Sequence, residues 1–237
     1  MFTLPIFVDS ATIESMKADL RKTLPAIKSS HRIEALARAL GFQTNAALRA
    51  ATNQHSSFET IVSWKDFRNY LNGKDFHPTA KPLYLAASKA AIRRIMDRYP
   101  MLTRSGIGIH TQNHPEETLQ EYTQRFMGER NDMLLDFAVE EFLRSCHLVS
   151  EIPKTKTITT KYGSYKLKHI AEKLSFTYPD GEVSEPKYVC SGSLVFAAIH
   201  LGFKFKENTA PHSINFNMQQ RSIEYLDRKI RPSRYAA

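Results

Sequence analysis

Glu34-Ala35-Leu36-Ala37-Arg38-Ala39-Leu40-Gly41-Phe42-Gln43-Thr44-Asn45-Ala46-Ala47-Leu48-Arg49 is the sharpest local pattern in the chain. Ser30, just ahead of it, can cap a helix whose apolar stripe is Ile33, Leu36, Ala37 and Leu40, and Gly41 is placed to end that helix. Thr44 can cap a second helix over 45–51. A helix-turn-helix needs a small residue where the helices touch, which Ala37 supplies, and Gly in the turn four residues later, which Gly41 supplies. The second helix would then present Gln43, Asn45, Arg49 and Asn53 to base edges or phosphates, with Arg38 beside them. Ala47 and Ala50 stand where branched aliphatic residues would lock that helix better. A plain αα-hairpin uses the same Gly for the same reason, so both readings stay open.

Helical periodicity continues on either side. Ile13, Met16, Leu20 and Leu24 recur at steps of three and four after Ser10. Ser63 and Asp66 form a capping pair ahead of Trp64, Phe67 and Leu71, and Gly73 closes that helix. Pro82 suits the first turn of a longer helix reaching Tyr99, where Pro100 stops it. Residues 115–149 read as one or two helices with a break near Gly128 and Asn131. After Pro153 the character changes. Residues 155–161, rich in Thr and Ile, favour strand, and a helix begins at Ser164. Pro179-Asp180-Gly181 is a turn, 193–201 a short helix, 203–205 and 214–216 short strands, and 219–230 a last helix. The fold expected is mainly α: an all-helical region over 1–150 with a helix-turn-helix-like hairpin, and a small α+β module over 151–237.

Charge is laid out in blocks. Residues 17–104 carry 16 Lys and Arg against 6 Asp and Glu, residues 105–151 carry 3 against 9, and residues 152–237 carry 14 against 7. With a net charge of +9, this basic–acidic–basic order points to a polyanionic partner, nucleic acid first, and also lets the acidic block pair with the basic ones. A hydrophobic content of 42% argues against wholesale disorder. The longest apolar runs, such as 193–201, are too short to span a bilayer, and the N-terminal MFTLPIFVDS lacks the basic start of a signal peptide. Cys146 and Cys190 suggest neither a disulfide framework nor a zinc cage, which fits a reduced, cytoplasmic protein.

Other constellations are candidates for contact rather than chemistry. Lys89, Arg93, Arg94 and Arg98 lie at helical spacings that could straddle phosphates. Lys166 and Lys168, interleaved with Tyr162 and Tyr165, would suit single strands through stacking, and two tyrosines half-buried at a strand–helix junction would look the same. Asp132, Asp136 and Glu140 fall four apart, as on one helix face, where they could meet a basic protein partner or simply be solvated. His110 and His114 have a spacing able to ligate one ion if helical, so a metal-dependent nuclease is the nearest enzyme reading. Gly106, Gly108 and Pro115 speak against a helix there, and neither Cys146-His147 nor Ser191-Gly192-Ser193 has the oriented partners of a nucleophile. No cofactor and no metal are expected. The 36–42 and 197–203 segments both end in Leu-Gly-Phe, a pairing common at helix C-termini.

Two segments carry a resemblance. Gly163-Ser164-Tyr165-Lys166-Leu167-Lys168-His169-Ile170-Ala171-Glu172 and Tyr188-Val189-Cys190-Ser191-Gly192-Ser193-Leu194-Val195-Phe196-Ala197-Ala198 are similar to paired motifs of uncharacterised proteins from bacterial plasmids and integrative elements. Cys190-Ser191 departs from the Ser-Asn of that family. Residues 30–51 are also similar to a short helical module associated with glyoxalase-related proteins, without the metal ligands that would carry an activity over. The resemblance implies a setting, bacterial mobile DNA, and no reaction. Together the residues and the resemblance suggest a non-enzymatic, DNA-binding regulator or accessory protein, duplex DNA being the favoured partner. The alternative is an inhibitor or adaptor that engages a host-defence or nucleic-acid-processing complex through its acidic helix. The oligomeric state is not fixed by sequence, although paired half-sites would suit a dimer.

Overall fold

Asp9 sets the first helix boundary: its backbone is extended and its Oδ1 accepts from the Thr12 N–H at 2.7 Å, so the helix opens at Ser10. The computed structural model describes residues 3–109, 116–207 and 213–231. The fold is mainly α, with ten helices and four two-stranded sheets among those residues. It divides into two packed units, Met1–Arg94 with Thr177–Val183, and Ile95–Phe176 with Ser184–Ala237.

The first unit opens with strand β1 (Pro5–Val8) and helices α1 (Ser10–Thr23), α2 (Ser29–Ala39) and α3 (Asn45–Gln54). Strand β2 (Phe58–Ile61), helix α4 (Trp64–Asn72), the first turns of α5 (Lys81–Arg98) and the Thr177–Val183 segment complete it. Strands β1 and β2 pair antiparallel, Pro5 opposite Ile61 and Val8 opposite Phe58. Sequence periodicity missed both strands. Pro5 stands at the first position of β1, where the missing donor matters least, while Ile6 and Val8 point inward. Helix α2 starts one residue before the expected cap, because the Arg32 N–H already bonds the Lys28 carbonyl at 3.0 Å. It packs on α1, α3 and α4, and the buried Ala35, Ala37 and Ala39 keep its surface low enough for close approach. Ser63 caps α4, as its sequence suggests, and Trp64, Phe67 and Leu71 are buried. Asp180 accepts the Ala80 N–H at 2.6 Å, satisfying a donor at the start of α5.

The second unit takes up the chain after Arg94, inside α5. It contains the hairpin β3 (Leu102–Thr103) with β4 (Gly106–Ile107), then α6 (Leu119–Asp132), α7 (Asp136–Ser150) and α8 (Ser164–Ala171). Strands β5 (Phe176–Thr177) and β6 (Val183–Ser184) flank the Pro179–Gly181 turn. Helix α9 (Ser191–His200), strands β7 (Phe205–Glu207) and β8 (Ile214–Phe216), and α10 (Gln220–Ile230) follow. Its core is the packing of α7 on α9, with α8 against both. The boundary expected at residue 150 therefore falls inside this unit: α7 lies before it and α8 and α9 after it, and these helices share one core. The strand expected over 155–161 does not form. Those residues run beside β8 with single bonds, Thr155 N–H to the Asn217 carbonyl at 2.7 Å and Thr159 N–H to the Phe216 carbonyl at 3.0 Å. The Thr155 hydroxyl turns to its own loop, bonding the Thr157 carbonyl at 2.7 Å instead of leaving the backbone to a ladder. No helix among the described residues is long and apolar enough to cross a membrane.

Candidate functional site

Gly41 makes the α2–α3 turn. At φ +90° it closes a double C-cap, with its own N–H on the Arg38 carbonyl at 3.0 Å and the Phe42 N–H on the Ala37 carbonyl at 2.9 Å. Thr44 caps α3 through the Ala47 N–H at 3.1 Å, and Glu34 of α2 accepts the Asn45 N–H at 3.0 Å, tying the second helix to the first. Helix α3 buries one side chain, Leu48. Ala47 and Ala50 are exposed, so the anchoring they could not supply is not required of them. Gln43, Arg49 and Asn53 are exposed, and Arg38, half-buried, donates to the Gln43 side-chain oxygen. Asn45 is half-buried. Around the hairpin, Lys22, Lys28, Lys65 and Arg68 are exposed on α1, on the cap of α2 and on α4. No motif in the sequence singles these four out, although they belong to the same basic block.

The basic face expected on α5 is largely engaged inside the protein. Arg93 donates to Asp19 at 2.7 Å and also to Ser15, fastening α5 to α1. Arg94 donates to Asp9 at 2.7 Å and lies 5.1 Å from the Phe7 ring centroid. Lys89 is half-buried. Arg98 is exposed and lies 5.5 Å from the Tyr99 ring centroid.

In the second unit the two sequence motifs meet. Lys166 pairs with the buried Asp227 of α10, and its neighbour Tyr162 hydrogen-bonds Glu224 at 2.9 Å. Lys168 is buried to 7% exposure, 3.4 Å from Glu172, with its ammonium over the rings of both Tyr165 and Tyr188. Burial pushes the Glu172 carboxyl up, but the His169 hydrogen bond and the Lys168 and His169 charges outweigh it and hold the group below the usual carboxylate range.

Deeper, Glu141 accepts from Arg104 at 2.7 Å, from the Cys190 N–H at 2.9 Å and from the Ser193 hydroxyl at 3.1 Å. Cys190 caps α9, its sulfur accepting the Ser193 N–H at 3.2 Å. Burial, then the Glu141 charge, pushes its thiol up to about 11 against the opposing pull of Arg104 and Ser193. This network buries a carboxylate and clamps β3–β4, α7 and α9 together. With its thiol protonated and buried, the cluster is built for holding rather than for nucleophilic attack. One sequence signal announced it: Glu141 sits between Ala138 and Phe142 on the apolar stripe of α7.

The acidic row does not lie on one helix. The chain turns over 133–135, where Met133 is buried, so Asp132 ends α6 and Asp136 begins α7. Asp136 and Glu140 share a helix; Asp132 does not. His110 and His114 lie outside the described residues, and among the described residues no three His, Cys, Asp or Glu side chains are grouped to hold a metal ion. Comparison of the chain with protein-family models, with curated proteins and with solved structures finds no match.

Proposed function

We propose that this protein binds nucleic acid, docking duplex DNA with the α2–α3 hairpin and acting as a non-catalytic regulator or accessory factor. The observation that carries the reading is α3 itself. A single buried Leu48 holds it, while Arg49 and Asn53 stand exposed along a helix fixed by a glycine turn and a threonine cap, and Gln43 is exposed in the turn ahead of that cap. Exposed Lys22, Lys28, Lys65 and Arg68 give the same unit cations for the flanking phosphates. The bacterial mobile-DNA setting implied by the motif resemblance suits such a role. A protein-binding role through three carboxylates on one helix loses its geometric premise at the 133–135 turn.

The test is fluorescence anisotropy with a labelled duplex of about 20 base pairs. Arg49→Ala with Asn53→Ala should weaken binding about tenfold or more, because each side chain able to reach a base edge or phosphate contributes about 1–3 kcal/mol. Arg93→Ala serves as the contrast, since that guanidinium is held by Asp19 and Ser15. Unchanged affinity in the α3 variant would remove the hairpin from the interface.

A further inference from the structure

Tyr165 and Tyr188 belong to segments more than twenty residues apart in sequence, yet one side chain organises both. The Lys168 Nζ lies 5.4 Å from the Tyr165 ring centroid and 4.9 Å from that of Tyr188. His169 stands edge-on to Tyr165, ring centroids 4.6 Å apart and planes at 88°, and its Nδ1 is 2.8 Å from Glu172. Lys168, His169 and Glu172 are thus a small frame that fixes two aromatic rings. Despite that frame, Tyr165 is 62% exposed and Tyr188 61%. Each ring turns one face to the ammonium and leaves most of its surface in water.

Fixed, exposed aromatic surface is costly to hydrate and cheap to use, since little rotamer freedom remains to be lost on binding. The surrounding charge selects the ligand. Segments 161–173 and 185–188 carry five lysines against Glu172 and Glu185. Glu224 and Asp227 answer Lys161 and Lys166, while Lys173 and Lys187, the latter next to Tyr188, are exposed. Flat apolar surface beside cations matches a ligand that is flat in its bases and anionic in its backbone. A duplex offers no free base faces, so the ligand is a single strand.

We propose that Tyr165 and Tyr188 form a stacking platform for unpaired nucleobases, with Lys168 setting the rings and raising the positive potential along the strand. The proposal rests on the nucleic-acid reading and adds a single-strand site in the second unit, separate in sequence and chemistry from the α3 face. Lys168 acts through the rings, and Lys173 and Lys187 meet the phosphates.

The test uses the full chain and two labelled probes, an oligothymidylate of about 15 nucleotides and the duplex. Tyr165→Ala with Tyr188→Ala should weaken oligothymidylate binding about tenfold or more and leave duplex binding within about twofold. Tyr165→Phe with Tyr188→Phe keeps the stacking faces and should bind as wild type. Photocrosslinking of a 5-iodouracil oligonucleotide to the wild-type protein gives a readout independent of any variant's folding, with Tyr165 or Tyr188 the expected crosslinked residue. Unchanged single-strand affinity in the alanine pair, or crosslinks confined to other residues, overturns the platform. Wild-type protein that binds duplex and not oligothymidylate also overturns it while sparing the α3 reading. Wild-type protein that binds neither probe removes both.

Discussion

Cys190 shows how much one buried side chain can report. Its thiol, ordinarily near 9.0, is pushed up to about 11 by burial and by Glu141. Between those values the folded protein keeps a proton that the unfolded chain has lost, so the stabilising contribution is complete below pH 9 and is lost as pH rises toward 11. The expected loss is on the order of 2 kcal/mol. Urea midpoints at pH 8, 9.5 and 11 should fall, and Cys190→Ser, which retains a capping atom without ionising in this range, should fall less steeply. A parallel decline in the two proteins would contradict this assignment. The same residue shows where sequence reading stopped. Ser191-Gly192-Ser193 lacks the partners of a nucleophile in the sequence, and Ser193 indeed serves the cap of α9, but nothing local joins Cys190 or Ser193 to Glu141. Its position on the apolar stripe of α7 was the available sign; its partner Arg104, distant in sequence, gave none.

At the scale of elements, the helices were largely legible and the strands largely not. Helices α1, α3, α4, α5 and α8 each announce themselves by an apolar stripe, a cap, a terminal glycine or a bounding proline, and these local signals survive in the fold. Strands β1 and β2 are four residues each and pair across about fifty residues of chain, so neither makes sense without the other. The Leu-Gly-Phe ending shared by 36–42 and 197–203 is one local device used twice. Gly202 repeats the Gly41 pattern at φ +75°, with the Phe203 N–H on the Ala198 carbonyl at 3.0 Å. The seating of α9 on the β3–β4 hairpin has a sharper requirement. The Gly192 N–H bonds the Arg104 carbonyl at 2.9 Å, and a Cβ there would lie 2.2 Å from the Thr103 carbonyl oxygen. Gly192→Ala should therefore force backbone apart and cost about 2–4 kcal/mol, read as a lowered urea midpoint. A midpoint like that of wild type would mean that α9 does not approach the hairpin this closely.

For the molecule as a whole, the basic surplus was the feature legible earliest, and the structure sorts it by use. Arg93, Arg94, Arg104, Arg130 and the fully buried Arg144 are internal fasteners; Arg130, for example, donates to the Leu102 carbonyl at 2.8 Å. Sequence spacing could not separate these from the surface cations, because a salt bridge to a distant residue leaves no local pattern. What remains outside includes Lys22, Lys28, Arg49, Lys65 and Arg68 of the first unit. Whether this remaining charge engages nucleic acid, as proposed above, is read from the wild-type dissociation constant for labelled duplex at rising salt. Binding at about 50 mM salt should weaken tenfold or more by about 200 mM, as counterions released by several phosphate contacts require. No binding at the lower salt, or an affinity indifferent to salt, would contradict it.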